Sequence, residues 1–423
     1  MSYLLFFIYT VLCCWLLTRI RFVKNAELGT KVVIGIFLLK LLAGVANGWV
    51  MSRTNYVADT WLYHNEGLKE YHLLFSNPKE YLLNFFQSSY ATGYNGFFQT
   101  NQSYWNDLHS NIMIKLLSIF DVFSFGSYYV NVILFNFLIF FGNIGIYRVF
   151  AAIYKNKKII LVFSCFLLPS LLFFSSNVHK DGLLLAVIGV IVFNIYWGFH
   201  FSGFTFRRIV YIFLALCFIF LLRNFVLMAM LPALFAWIIT EKKKVSPILI
   251  FSIVYLIGGV IFFNLDKISP KLDLPENVVQ RQIDFLNLQK AATTINLKPL
   301  QPSAKSFIMN LPQVFNHIFM RPYLKEYHLQ GFLLPFAVEI IFYELIFILF
   351  IFFHVKRKDW VINNPFVLFG IFFSVSILLI IGYTVPVIGA FIRYRSIYLL
   401  FILTPVLCNI RWEFFASRLQ IKK

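Results

Sequence analysis

Long apolar runs separated by short polar breaks cover most of the chain. They occupy residues 3–18, 31–50, 128–150, 159–174, 182–199, 246–264, 331–354, 365–383 and 396–410. A helix rises ~1.5 Å per residue, so ~20 apolar residues match the hydrocarbon layer of a bilayer. Residues 209–240 form one further run, interrupted by Arg223 and Asn224. As a single span it would place the basic clusters at 242–244 and 356–358 outside. As two arms of about 14 to 16 residues it keeps both inside, as the positive-inside rule asks. The pattern therefore predicts an all-α polytopic transmembrane helical bundle, a single membrane domain over 1–423 with about 11 spans. Its N-terminus is expected outside and its C-terminus in the cytoplasm.

Two polar stretches interrupt this rhythm. Residues 51–127 form a first outer segment, in which 111–123 is apolar but too short to cross and reads as an interfacial or re-entering helix. Residues 265–330 form a second, with an amphipathic helix in PENVVQRQIDFLNLQ. The basic residues Lys155, Lys157, Lys158, Arg207, Arg208, Arg411, Arg418, Lys422 and Lys423 join the two clusters on the opposite face.

Composition sharpens the class. The chain is 60% hydrophobic and only 13% charged, with 53 Phe, against roughly 25% charged in an average soluble domain. The net charge of +19 points to basic cytoplasmic loops rather than to nucleic acid. The cysteines at 13, 14, 165, 217 and 408 all fall in apolar runs, so neither disulfide nor metal site is expected from them. Residues 1–17 lack a basic leading region and their charges follow the apolar run, which reads as an uncleaved first span. No P-loop, GxGxxG or GxSxG occurs, and no cofactor is expected.

The turn PSLLFFSSNVHKD, residues 169–181, carries more chemistry than a hairpin tip needs: His179, Lys180 and Asp181. Asp181 as a plain helix cap is the competing reading. The topology places Asp59, Tyr63, His64, Glu66, His179, Lys180, Asp181, Arg223, Arg281, Arg321, Glu326, Arg393 and Arg395 on the outer face. Outward arginines oppose the positive-inside bias, and a guanidinium fork suits phosphate oxygens. For Arg281 and Glu326 a solvated loop charge is the competing reading. Arg223, between two short arms, is expected below the outer surface beside an anion, either a substrate phosphate or Asp181. In ADTWLYH, Asp59 and Tyr63 share a helix face, with His64 beside them. Asp59 is a candidate general base or a helix N-cap.

These residues resemble bacterial integral-membrane glycosyltransferases of the C-type superfamily, and in particular exopolysaccharide and O-antigen polymerases. The resemblance rests on Asp59 with Tyr63, on PSLLFFSSNVHKD, on Arg321-Pro322 with Glu326 in RPYLKE, and on Arg393-Tyr394-Arg395 before the last span. No carboxylate follows Asp59 directly, unlike many metal-dependent members. The resemblance implies a cell-surface polysaccharide enzyme in the bacterial inner membrane, with its site facing the periplasm. Its partners would be the bilayer, a polyprenyl-phosphate-linked saccharide donor and a saccharide acceptor. Asp59, His179 and Asp181 would be catalytic. Tyr63, His64, Lys180, Arg223, Arg321, Glu326, Arg393 and Arg395 would bind substrate. The alternative is a transporter for an anionic lipid-linked saccharide. A one-sided charge cluster and a single helix interruption, at Arg223, favour the enzyme.

Overall fold

The computed structural model describes residues 2–53, 58–86, 104–243, 245–269, 272–288, 291–328, 330–355 and 361–415. Lys244, the 356–358 cluster, Arg418, Lys422, Lys423 and almost all of the aromatic run 90–105 lie outside these. The described residues contain helices and two isolated bridges, and no strand. In chain order the principal helices are α1 (Ser2–Arg19), α2 (Thr30–Ser52), α3 (Asp59–Ser76), α4 (Tyr104–Ser124), α5 (Tyr128–Ile153), α6 (Lys158–Leu167), α7 (Pro169–Ser175), α8 (Lys180–Ser202), α9 (Phe206–Leu222), α10 (Asn224–Lys242), α11 (Pro247–Phe262), α12 (Leu274–Asn287), α13 (Ala304–Phe315), α14 (Gly331–Phe353), α15 (Pro365–Thr384) and α16 (Ile388–Cys408).

Eight of these are long and apolar enough to cross a membrane: α1, α2, α5, α8, α10, α14, α15 and α16. The bent pair α6–α7 makes a ninth if it counts as one span. The other two expected spans are α9, with 17 residues, and α11, with 16. At ~1.5 Å per residue each falls short of a ~30 Å hydrocarbon layer. The protein is thus an all-helical membrane protein. The chain falls into two compact units, one of residues 1–150 and 171–227, the other of 151–170 and 228–423.

In the first unit, backbone contact decides how α5 meets α8. A Cβ added at Gly142 would sit 2.2 Å from the Ala186 backbone, and one at Gly189 would sit 2.1 Å from the Gly142 carbonyl. Small residues let membrane helices touch at the backbone, where dispersion contacts replace the missing hydrophobic drive. Gly142→Ala is expected to destabilise the protein by about 1–3 kcal/mol, because neither backbone can yield. Thermal unfolding in detergent measures it, and an unchanged midpoint would mean the crossing tolerates separation. The short apolar stretch at 111–123 is part of the longer helix α4, which packs along α3. Gly67 permits that approach, since its added Cβ would lie 3.0 Å from Leu117.

Two breaks shape the chain near the charged residues. Pro169 lacks an N–H and pushes Leu168 to an extended φ of −57° and ψ of 126°, so α6 and α7 meet at 48°. This is an interruption beyond the one expected at Arg223. At Arg223 itself the helix ends in extended backbone, with φ −156° and ψ 90°, and restarts at Asn224.

In the second unit, Glu339 of α14 accepts the Ser170 N–H at 2.8 Å, which satisfies an amide freed at the break. Tyr343 donates its hydroxyl to the same carboxylate oxygen. The expected amphipathic helix is α12. Asp273 caps it by accepting from the Glu276 N–H at 2.8 Å. Its buried Gln282 donates to the Tyr383 carbonyl at 2.7 Å and accepts from the Leu300 N–H at 2.9 Å, tying α12 and the stretch after it to the end of α15. Arg393 and Arg395 were expected in a loop before a last span starting at 396. They lie instead inside α16, which begins at Ile388, since nothing in IGAFIRYR breaks a helix.

Candidate functional site: a carboxylate–histidine–carboxylate–arginine chain

The turn after α7 is buried, and α2 holds it there. Lys40, 1% exposed in the middle of α2, donates to Ser175 Oγ at 3.2 Å and to Ser176 Oγ at 3.1 Å. One turn along, Gly44 leaves room for the Ser176 carbonyl, which a Cβ there would meet at 2.5 Å. Asn47 donates to the Phe173 carbonyl at 3.3 Å, and Asn136 of α5 donates to the Ser176 carbonyl at 2.8 Å. Lys40, Gly44, Asn47 and Gly48 form one stripe of α2, spaced at helical repeats. The sequence signal for this stripe was a lone lysine in an apolar run, a costly placement that calls for a partner.

His179 closes the turn as the N-cap of α8, with extended φ −152° and ψ 157°. Asp181 is therefore inside the helix and not its cap, and its carboxylate lies close to the helix N-terminus, where negative charge is stabilised. His179 Nδ1 lies 2.9 Å from Asp181 Oδ2 and 3.4 Å from the Asp181 backbone N–H. Nδ1 accepts that N–H and lies within ion-pair distance of the carboxylate. On the other side, His179 Nε2 lies 3.2 Å from Asp59 Oδ2. Asp181 Oδ1 in turn receives Arg223 Nη2 at 2.7 Å.

The result is a continuous chain, Asp59–His179–Asp181–Arg223. Asp181 is fully buried, His179 is 3% exposed and Arg223 11%, while Asp59 keeps 48% of its side chain open. The chain is most exposed at Asp59 and least at Asp181. Asp59 itself is the first residue of α3, the N-cap position being Ala58. The helix-cap reading of Asp59 is thus not what the structure shows.

Lys180, in the first turn of α8, lies 3.3 Å from His109 Nδ1, 3.5 Å from Ser110 Oγ, and 5.1 Å from the centre of the Tyr63 ring. Tyr63 also faces the His179 ring at 5.8 Å. His64 plays a different part from the one expected. It is 5% exposed and packs edge-on against Trp61 and Tyr128 at 5.7 and 5.3 Å. Burial pushes its imidazole down to about 4. The unfolded value is about 6.5. Between the two the unfolded chain holds the extra proton, so this group's contribution is complete above about pH 6.5 and is lost as pH falls toward about 4. The slope in that window is roughly 1.4 kcal/mol per pH unit. His64→Phe keeps the ring and removes the titration. Its thermal midpoint is expected to fall less than that of the wild type between pH 7 and pH 5, and equal losses would assign the acid sensitivity elsewhere.

The second unit holds the remaining expected residues. Arg321 Nη1 pairs with Glu326 Oε1 at 3.2 Å and lies over the Tyr323 ring at 5.3 Å. Glu326 also accepts the Tyr323 N–H at 2.8 Å, so it is part of a folded corner and not a free loop charge. Arg393 reaches the hydroxyl of Tyr394 at 3.2 Å. Arg395 is 1% exposed and donates to the backbone carbonyls of Ile318, at 2.7 Å, and of Arg321. Its charge is turned to main chain inside the unit, which places it as a brace for the Arg321 corner. Among the described residues no group of three or more His, Cys, Asp or Glu is arranged to hold a metal ion.

No protein-family model, curated protein or solved structure matches the chain.

Proposed function

We propose that the protein is a membrane glycosyltransferase or polymerase of cell-surface polysaccharide synthesis, using a polyprenyl-phosphate-linked donor at the outer face of a bacterial inner membrane. The observation that carries this reading is the Asp59–His179–Asp181–Arg223 chain, most open at Asp59. Sugar transfer to a hydroxyl needs a group that accepts one proton as the oxygen attacks. In this proposal the acceptor oxygen forms a bond to the anomeric carbon while the bond from that carbon to the phosphate oxygen breaks. The electron pair leaves on the phosphate. The acceptor proton passes to Asp59. Asp181 and Arg223 hold the His179 ring against that carboxylate.

The leaving phosphate carries the charge that grows in the transition state, and Lys180 in the first turn of α8 is the cation next to this chain. Tyr63 supplies an aromatic wall beside Lys180. In the second unit, Arg321 keeps 20% of its side chain exposed and is proposed to meet anionic phosphate there. Arg395 is proposed to act on substrate only through the main chain that it braces.

Purified protein in nanodiscs, given synthetic polyprenyl-pyrophosphate- and polyprenyl-phosphate-linked sugars, tests the reading. Release of the free lipid phosphate together with a new glycoside supports it. Binding of the donors with no turnover, combined with facilitated movement across a sealed vesicle, would replace it with the transporter reading. The α6–α7 break is the observation that favours that second reading, because discontinuous helices are common in carriers.

A further inference from the structure

The two members of the reacting pair come from distant parts of the chain, and something must fix their separation. Asp59 opens α3, and His179 ends the turn before α8. Next to Asp59 stands Thr60, 1% exposed, and two residues before His179 stands Asn177, 6% exposed. Thr60 Oγ1 donates to Asn177 Oδ1 at 2.9 Å, and the Tyr128 hydroxyl reaches the same oxygen at 3.0 Å. Thr60 Oγ1 and Tyr128 OH are themselves 2.8 Å apart. Two hydroxyl protons make two of these three contacts hydrogen bonds at a time, and all three groups are buried.

Each corner is anchored separately. Trp61 stacks on the Tyr128 ring at 4.2 Å and donates from Nε1 to the Gly48 carbonyl at 2.9 Å, which seats the first turn of α3 on α2. The other side of the turn is clamped by Lys40 through Ser175 and Ser176. Asn177 is the point where these supports meet.

We infer that Asn177, Thr60 and Tyr128 are positioning residues that set the Asp59-to-His179 contact, while the Asp181 contact of His179 is held independently. The inference rests on the reading of Asp59 and His179 as the reacting pair. It has its own observable, because the two ring nitrogens of His179 report the two contacts separately. Nε2 faces Asp59 and Nδ1 faces Asp181.

The experiment uses the full chain in nanodiscs with ¹⁵N-labelled histidine, with His179→Gln to assign the resonances and Asp59→Ala to mark the position of an unpaired Nε2. In Thr60→Val the Nε2 resonance should move at least halfway toward its Asp59→Ala position, with Nδ1 unmoved. Thr60→Ser, which keeps the hydroxyl, should return Nε2 to the wild-type position. Tyr128→Phe is the second variant if Thr60→Val fails to fold. With active donor, kcat should fall roughly 10- to 100-fold at unchanged donor KM. An Nε2 resonance that stays in place in a folded Thr60→Val overturns the inference. So does joint movement of both nitrogens in Thr60→Val and Tyr128→Phe alike, since the triangle would then hold the whole turn and not the spacing. A protein without transferase activity would defeat the functional reading and leave the nitrogen result standing.

Discussion

Replacing Asp59 by Asn should reduce turnover by about 10²-fold or more while leaving donor binding nearly unchanged. The amide keeps the shape of the carboxylate, so His179 can still be met from that side. It cannot take the proton of an attacking hydroxyl. The structure makes this substitution cleaner than the sequence alone would, because the N-cap position is Ala58 and not Asp59. Nearly half of its side chain is open to solvent, so the change costs little stability. Single-turnover transfer from a lipid-linked donor is the measurement. Near-normal transfer by the Asn variant would remove Asp59 from the chemistry and leave His179 as the group to test.

Arg223→Met should be the most destabilising single change in the first unit, at roughly 3–5 kcal/mol. Asp181 is fully buried, and Arg223 Nη2 lies 2.7 Å from its Oδ1. Removing the guanidinium leaves a carboxylate in a site that water does not reach. The double variant Asp181→Asn, Arg223→Met should recover much of the loss, because it removes both charges together. Arg223→Lys should fall between, keeping a charge without the fork. Thermal unfolding in detergent ranks the three variants. If Arg223→Met unfolds at the wild-type temperature, the pair contributes nothing and Arg223 is again a candidate for substrate phosphate.

The membrane class could be read directly from the chain, because hydropathy is a local sum over consecutive residues. So could the interruption at Arg223, the amphipathic α12 and the helical start at Asp59. The bend at Pro169 was also present in the sequence as a proline inside an apolar run, yet the run was read as one straight span. Arg393 and Arg395 precede the apolar run at 396–410, yet α16 begins at Ile388 and takes them in. For Glu326 a solvated charge competes with a substrate role in the sequence, and only the folded corner shows it paired with Arg321.

The candidate site divides the same way. Residue types and short motifs were enough to mark Asp59, His179, Asp181 and Arg223 as chemically unusual, since charges beside apolar runs are costly and need partners. Their order in the chain Asp59–His179–Asp181–Arg223 depends on a contact across 120 residues, and no local pattern encodes it. Thr60 and Tyr128 look ordinary beside their sequence neighbours, while Lys40 and Asn177 stand out only as a charge in an apolar run and a polar turn residue. Their meaning comes from burial against one another, which packing creates when α2, α3, α5 and the His179 turn are brought together. Local chemistry can nominate reactive groups, but the partner of a buried charge is chosen by whichever helices close around it.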